Sequence, residues 1–118
     1  MKDLKKAVTE LNELIRQFKF QEALDEFYDE SIVSHENENP PIVGLKAYRE
    51  AAKAYLDSIS NQSAELKGVI VSDQIVVTEW HYKFDHKTWG KWDAIQISVQ
   101  RWKEGKIVHE RHHYATGS

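Results

Sequence analysis

Glu110 and His112, near the C-terminal end of the chain, have side chains and a spacing that suit acid/base chemistry. They are two residues apart in a run rich in β-branched and aromatic residues, so on a β-strand they would lie on the same face. Burial among apolar neighbours would raise the pKa of the carboxyl group, and the imidazole could then exchange protons with it near neutral pH. We therefore predict that the two residues form a catalytic pair suited to removing a proton next to a carbonyl group.

Four more residues on the same predicted face could contact a ligand. Asp93 and Tyr114 could orient a substrate oxygen, and Trp80 and Tyr82 would form an apolar wall. Large aromatic side chains on such a face more often serve only as core. For the polar members of this face, the alternative is a solvated rim without a chemical role.

No pattern in the sequence predicts a metal or a cofactor. His109, Arg111 and His113 alternate along one strand, but such positions are ~6.5 to 7 Å apart and cannot by themselves converge on one ion. The chain has no cysteine, and it lacks a HExxH helix, a glycine-rich phosphate loop and a nucleophile elbow. His109, Arg111 and His113 are better suited to a polar surface between two subunits.

Composition limits the other classes of protein. The length of 118 residues predicts one domain, 1–118, that can bury a core without disulfides. Sixteen Lys and Arg against nineteen Asp and Glu give a net charge of −3, and the basic residues are dispersed, which argues against nucleic acid. Without an apolar run near ~20 residues or a signal peptide, we expect no membrane association and a cytoplasmic location.

Hydrophobic periodicity predicts three helices followed by four strands. Apolar residues recur every three or four positions in 4–18, 20–28 and 45–59, which is typical of helices with one buried face. Pro40 and Pro41 place a loop at 34–44. After Ala64 the period becomes two, in runs at 69–71, 75–84, 92–102 and 107–114. Helices first and strands afterwards predict an α+β domain, with the N-terminal helices packed on a curved, mainly antiparallel sheet.

Assumed turn lengths then predict which residues share a face. A four-residue turn at 87–90 would pair Trp80 with Ile97, and a turn at 103–106 would pair Val99 with Glu110. One face would carry Val76, Thr78, Trp80, Tyr82, Phe84, Ile95, Ile97, Val99 and Val108, together with Asp93, Glu110, His112 and Tyr114. The other would carry Glu79, His81, Lys83, Asp85, Gln96, Ser98, Gln100, His109, Arg111 and His113. The first face should lie under the helices, since burial of apolar surface stabilises by ~25 cal/mol per Å².

Several segments in order resemble the SnoaL-like branch of the nuclear transport factor 2-like superfamily. They are 27–35 (FYDESIVSH), 41–47 (PIVGLKA), Trp80 in a long strand, and 101–108 (RWKEGKIV) in the last hairpin. The resemblance implies an α+β cone with a central pocket, and a homodimer formed through the sheet. It also implies that Tyr28 and His35 reach the pocket mouth, although His35 could equally be a solvated loop residue beside Glu36. The carboxylate that serves as acid/base in the family's polyketide cyclases corresponds to Ala115 here.

Two functions follow from these expectations. In the first, the pocket binds a small apolar or amphipathic molecule, with cofactor-independent acid/base catalysis by Glu110 and His112. In the second, aromatic side chains fill the pocket and the chain is a non-catalytic dimerisation or protein-association module. A cavity of ~300 Å³ or more, with polar groups converging inside it, would distinguish the first from the second.

Overall fold

The computed structural model describes residues 3–115. The elements are α1 (Leu4–Arg16), α2 (Phe20–Phe27), β1 (Tyr28–Glu36), β2 (Ile42–Val43), α3 (Leu45–Ser58), β3 (Ile59–Ser72), β4 (Ile75–His86), β5 (Gly90–Lys103) and β6 (Lys106–His113). The six strands form one sheet in the order β2-β1-β6-β5-β4-β3. All neighbouring strands are antiparallel except β1 and β6, which are parallel. The predicted α+β class with a mainly antiparallel sheet is confirmed.

The three helices begin and end close to their predicted positions. Asp3 caps α1 by accepting a hydrogen bond from the amide of Lys5, at 3.3 Å, as acidic N-cap residues commonly do. Phe18 then adopts a left-handed conformation, with φ of 59°, and turns the chain into α2. The apolar stripes of the helices meet the sheet in one core. Its buried members are Ala7, Val8, Leu11, Ala23, Leu24, Phe27, Tyr28, Ile32, Ala52, Val76, Trp102 and Ile107.

Two strands were not predicted, and a third is longer than predicted. β1 starts directly where α2 ends, although no strand was predicted before residue 69. β1 and the short β2 occupy part of the predicted loop. β3 begins at Ile59, well before the predicted run at 69–71, and a bulge between Ser60 and Ser63 accommodates the polar residues there.

The predicted register between β4 and β5 is wrong by one residue. His86 pairs with Gly90, not with Lys91, because the connection is one residue shorter and Gly90 takes a φ of +80°, which glycine adopts without strain. A shift of one residue exchanges the two faces of a strand. Gln96, Ser98 and Gln100 therefore share the face of Trp80 and Thr78, and Asp93, Ile95, Ile97 and Val99 lie on the opposite face.

A bulge in β6 restores the predicted inner face for the residues that follow it. Trp102 pairs with Ile107 as predicted, but Arg101 pairs with His109, so Val108 is an extra residue in the ladder. Glu110 therefore lies opposite Gln100, not Val99. The two one-residue shifts cancel, and Glu110 and His112 lie on the inner face as predicted. Val108 is only half-buried, whereas Ile107 is fully buried.

Among the helices found in residues 3–115, none has the length and the apolar character needed to cross a membrane. The cytoplasmic location remains a prediction from the sequence.

Candidate active site

The helices and the inner face of the sheet enclose an open cavity of about 450 Å³. Its wall is mostly apolar and aromatic, with polar side chains concentrated where β1, β5 and β6 meet. The lining residues include Phe20, Tyr28, Ser34, Glu36, Tyr48, Ala51, Tyr55, Thr78, Trp80, Tyr82, Phe84, Trp92, Gln96, Ser98, Glu110, His112 and Tyr114. A volume of this size and a mixed lining are typical of sites for small molecules.

Glu110 is the most deeply buried ionisable group of this cavity, with 1% of its surface exposed. The hydroxyl of Tyr28 donates to its Oε2 atom, and the hydroxyl of Tyr48 donates to Oε1. His112 Nε2 and Ser34 Oγ are 3.0 and 3.5 Å from Oε1. Donors from β1, α3 and β6 thus converge on one carboxylate, which is how a buried charge is kept in a folded protein.

The pKa of Glu110 is lowered, so the predicted increase is wrong. Burial by itself would raise this pKa, but the positive charge and hydrogen bond of His112, with the hydrogen bonds from Tyr28 and Tyr48, outweigh it. The sequence prediction considered only desolvation. The hydroxyl donors stabilise the ionised form, so Glu110 is a carboxylate at neutral pH.

His112 is held as the cationic partner of this carboxylate. Burial lowers the pKa of the imidazole, but the charge and hydrogen bond of Glu110, with the charge of Glu36, raise it to about 9. On the other side of the ring, Nδ1 lies 2.7 Å from Ser98 Oγ and 3.2 Å from Gln96 Nε2. A hydroxyl can accept from the cation or donate to the neutral ring, so Ser98 can hold His112 in either protonation state.

The predicted ligand residues divide into two groups. Tyr28, Trp80, Tyr82 and Tyr114 line the cavity, and Trp80 and Tyr82 stack with ring centroids 5.7 Å apart. His35 and Asp93 do not line it. Asp93 contacts His81 on the outer face, as the corrected register requires, and the His35 ring lies 5.2 Å from that of His109.

The sequence did not predict several polar members of the site. Tyr48 occupied an apolar position of a predicted helix, and nothing in that pattern indicated that its hydroxyl would meet Glu110. Gln96 and Ser98 were placed on the wrong face with the rest of β5. The spacing of Gln96, Ser98 and Gln100 is the signal that could have found them, because three polar residues at alternate positions fit a polar cavity wall as well as a solvated face.

One polar group of the lining has no partner. The hydroxyl of Thr78 makes no hydrogen bond with any group in residues 3–115, although the residue is only 1% exposed. A buried hydroxyl left unpaired costs about 1–3 kcal/mol.

Within the part of the chain that the structure describes, no three His, Asp or Glu side chains are placed to hold a metal ion.

Comparison with known proteins gives the family. A sequence model of the SnoaL-like domain matches residues 8–110, which is most of the chain, and the chain belongs to this family. No curated protein is similar to it at a significant level.

Solved structures share the fold at low sequence identity. A proposed SnoaL-like polyketide cyclase from Mesorhizobium loti has a TM-score of 0.81 and 20% identity over 96% of this chain and 100% of that chain. Another, from Jannaschia sp. CCS1, has a TM-score of 0.81 and 10% identity over 93% and 85% of the two chains. A nuclear transport factor 2-like protein of unknown function from Burkholderia pseudomallei has a TM-score of 0.81 and 12% identity over 98% and 92%. At these identities the likeness shows the fold alone.

The ion pair predicts a specific pH dependence of stability. The pKa of His112 rises on folding from 6.5 to about 9, so the folded state binds its proton more tightly than the unfolded state does. The stabilisation is complete below pH 6.5 and is lost as the pH rises through 9. We expect the free energy of unfolding, measured with urea, to fall by about 3 kcal/mol over this interval.

In the variant His112→Gln, the free energy of unfolding should not fall between pH 6.5 and about 9. His113→Gln, which removes the exposed imidazole next in the chain, should show the same fall as the wild type. An unchanged pH dependence in His112→Gln would mean that another group is responsible.

Proposed function

We propose that the chain binds a small, partly apolar molecule in the cavity and that Glu110 and His112 carry out cofactor-independent acid/base catalysis on it, of isomerase, cyclase or hydrolase type. The observation that carries the proposal is an ion pair enclosed at the wall of a cavity of about 450 Å³. The volume exceeds the ~300 Å³ expected of a small-molecule site. It argues against the alternative in which aromatic side chains fill the pocket.

Glu110 serves as the base in this proposal, through Oε2. Three donors, from Tyr48, Ser34 and His112, share Oε1, whereas among residues 3–115 Oε2 accepts only from Tyr28. A carboxylate oxygen has two lone pairs, so one on Oε2 is left for a substrate proton. The carboxylate is ionised at neutral pH, as a base must be.

The proton transfer leaves a charge that the same site can stabilise. When a C–H bond next to a carbonyl group breaks, the proton forms an O–H bond with Oε2, the C–H electron pair forms a C=C bond, and the π electron pair of the carbonyl group moves to its oxygen. The neutralised Glu110 no longer balances His112, so the charge of the imidazolium can stabilise the enolate in the same cavity. Fixed charges that face a developing negative charge are a strong source of catalysis.

The position of the acid/base carboxylate in the family's polyketide cyclases corresponds to Ala115, not to Glu110 or His112. Ala115 is exposed and does not line the cavity. Its position lies beyond the end of β6, whereas Glu110 lies within the strand. In our proposal the proton-transfer role therefore belongs to Glu110, five residues earlier in the chain.

Binding can be tested with a neutral fluorescent probe that brightens in apolar surroundings, N-phenyl-1-naphthylamine. Ala51 lines the cavity from α3, so Ala51→Phe should fill it and weaken the binding by at least about tenfold, measured by fluorescence titration. Ala47, one turn earlier, is exposed, and Ala47→Phe should bind the probe as the wild type does. Equal affinity in the two variants would show that the cavity is not the binding site.

Catalysis can be tested by hydrogen–deuterium exchange next to the carbonyl group of a small cyclic ketone, 2-tetralone, followed by proton NMR in D2O. The wild type should accelerate exchange over buffer, and Glu110→Gln should lower the accelerated rate by at least about 100-fold, the usual contribution of a general base. Asp93→Asn removes a carboxylate from the outer face and should have no effect. A variant Glu110→Gln that still binds the fluorescent probe and exchanges at the wild-type rate would contradict the assignment.

A second candidate function, association through the sheet, is favoured by the corrected register. It moves Ile95, Ile97 and Val99 to the outer face, where Val99 lies opposite Val77 of β4, and Ile95 is 42% exposed. Apolar side chains grouped on an exposed sheet commonly mark an interface. We therefore propose a homodimer in which this face of one copy packs on the same face of the other.

Sedimentation velocity at micromolar concentration tests the homodimer. We expect a dimer for the wild type and a monomer for Ile97→Asp, because a charge at the centre of the apolar face would be desolvated in the interface. Val43→Asp introduces the same charge at an exposed position on the edge strand β2 and should remain a dimer. A monomeric wild type would remove this candidate function.

A further inference from the structure

The charges that line the cavity are unbalanced. Among residues 3–115, no Lys or Arg lines it, whereas two carboxylates do, Glu36 and Glu110. His112 balances Glu110. Glu36, at the end of β1, has no ion pair with any described Lys, Arg or His, and its polar contact in the cavity is with the hydroxyl of Tyr114. With His112 protonated, the cavity therefore carries one unbalanced negative charge.

Four aromatic side chains that line the cavity together with Glu36 contact one another in sequence. Tyr55 meets Phe84 edge to face at 5.3 Å and 87°, and Trp92 meets Tyr114 at 5.5 Å and 73°. Phe84 and Trp92 stack at 5.7 Å across the β4–β5 pair and join the two contacts. All four side chains line the cavity.

The charge of Glu36 acts on both ends of this aromatic arc, Tyr55 and Tyr114. Burial raises the pKa of Tyr114, and so do the hydrogen bond and the charge of Glu36. Burial also raises the pKa of Tyr55, again with the charge of Glu36 as the next cause. The carboxylate and the arc line the same cavity, and we call the five side chains the aromatic ring site: Glu36, Tyr55, Phe84, Trp92 and Tyr114.

A site of this composition suits an organic cation. The face of an aromatic ring attracts a cation within about 6 Å, and the attraction strengthens when the cation is removed from water. An alkylated ammonium ion is weakly hydrated and carries its charge on a bulky apolar group, so it loses little on entering an apolar cavity. A carboxylate with no cation of its own supplies the balancing charge.

We propose that the aromatic ring site binds the ammonium group of an organic cation, with Glu36 as its counter-ion, and that the apolar part of the same ligand lies deeper in the cavity. This inference rests on the proposed small-molecule function and specifies its class of ligand. It excludes ligands that would place a carboxylate, phosphate or sulfate at this position, because Glu36 would repel them.

The test compares two probes of the same shape, choline and its neutral carbon analogue 3,3-dimethylbutan-1-ol. Their binding is measured from the indole N–H signals of the wild-type protein in proton NMR titrations. We expect choline to bind at least about tenfold more tightly than the alcohol. Equal affinity for choline and the alcohol would overturn the organic-cation proposal. The proposed small-molecule function would still stand if N-phenyl-1-naphthylamine binds in the cavity.

Two matched variants assign the effect to Glu36. Glu36→Gln keeps the shape of the side chain and removes its charge, so the preference for choline should fall by at least about threefold. Glu38→Gln removes the same charge two residues farther on, from a side chain that is 94% exposed, and should leave the preference unchanged. A preference that is the same in Glu36→Gln and the wild type, or no binding of choline at all, would also overturn the proposal.

Discussion

The charge of Glu110 is the constraint on which the rest of the structure depends. A carboxylate with almost no exposed surface is tolerated only if hydrogen-bond donors and an opposite charge replace the water that it loses. The donors come from the start of β1, from α3 and from β6. Because these elements lie far apart in the chain, satisfying this one group fixes how α3 lies against the sheet and how β1 lies beside β6. The site and the fold are therefore stabilised by the same contacts.

One extra residue in β6 makes this arrangement possible. Without the bulge at Val108, the ladder from Trp102 and Ile107 would pair Val99 with Glu110, and the carboxylate would face outwards with Val99. The bulge shifts the pairing by one residue and turns Glu110 towards Tyr28. Bulges often occur where a strand must redirect a side chain at a functional site. Val108 thus has a structural role in forming the site although it is not part of it.

The sequence predicted the parts of the fold that depend on local patterns. The apolar stripes located the three helices, and alternation located most of β4, β5 and β6. β1 was missed because its pairing with β6 joins residues some seventy-five positions apart, such as Ser34 and Glu110, which no local pattern encodes. Asp93 was misplaced because a side chain's face depends on the exact turn length. Glu110 and His112 were placed correctly only because two errors of one residue cancelled, and the prediction for the carboxyl pKa failed because Tyr28 and Tyr48 were not recognised as donors.

The parallel pairing of β1 with β6 also bears on how the chain folds. Contacts between residues distant in sequence close large loops, so they form late and slow the search for the native state. Until β6 is in place, β1 and β5 have no common neighbour, and both present unpaired backbone edges to other chains. The hydroxyls of Tyr28 and Tyr48 likewise have no carboxylate to bind. The cavity is therefore completed late in folding. The pairing of β6 covers the open edges of β1 and β5, and it also brings Glu110 to the hydroxyls of Tyr28 and Tyr48.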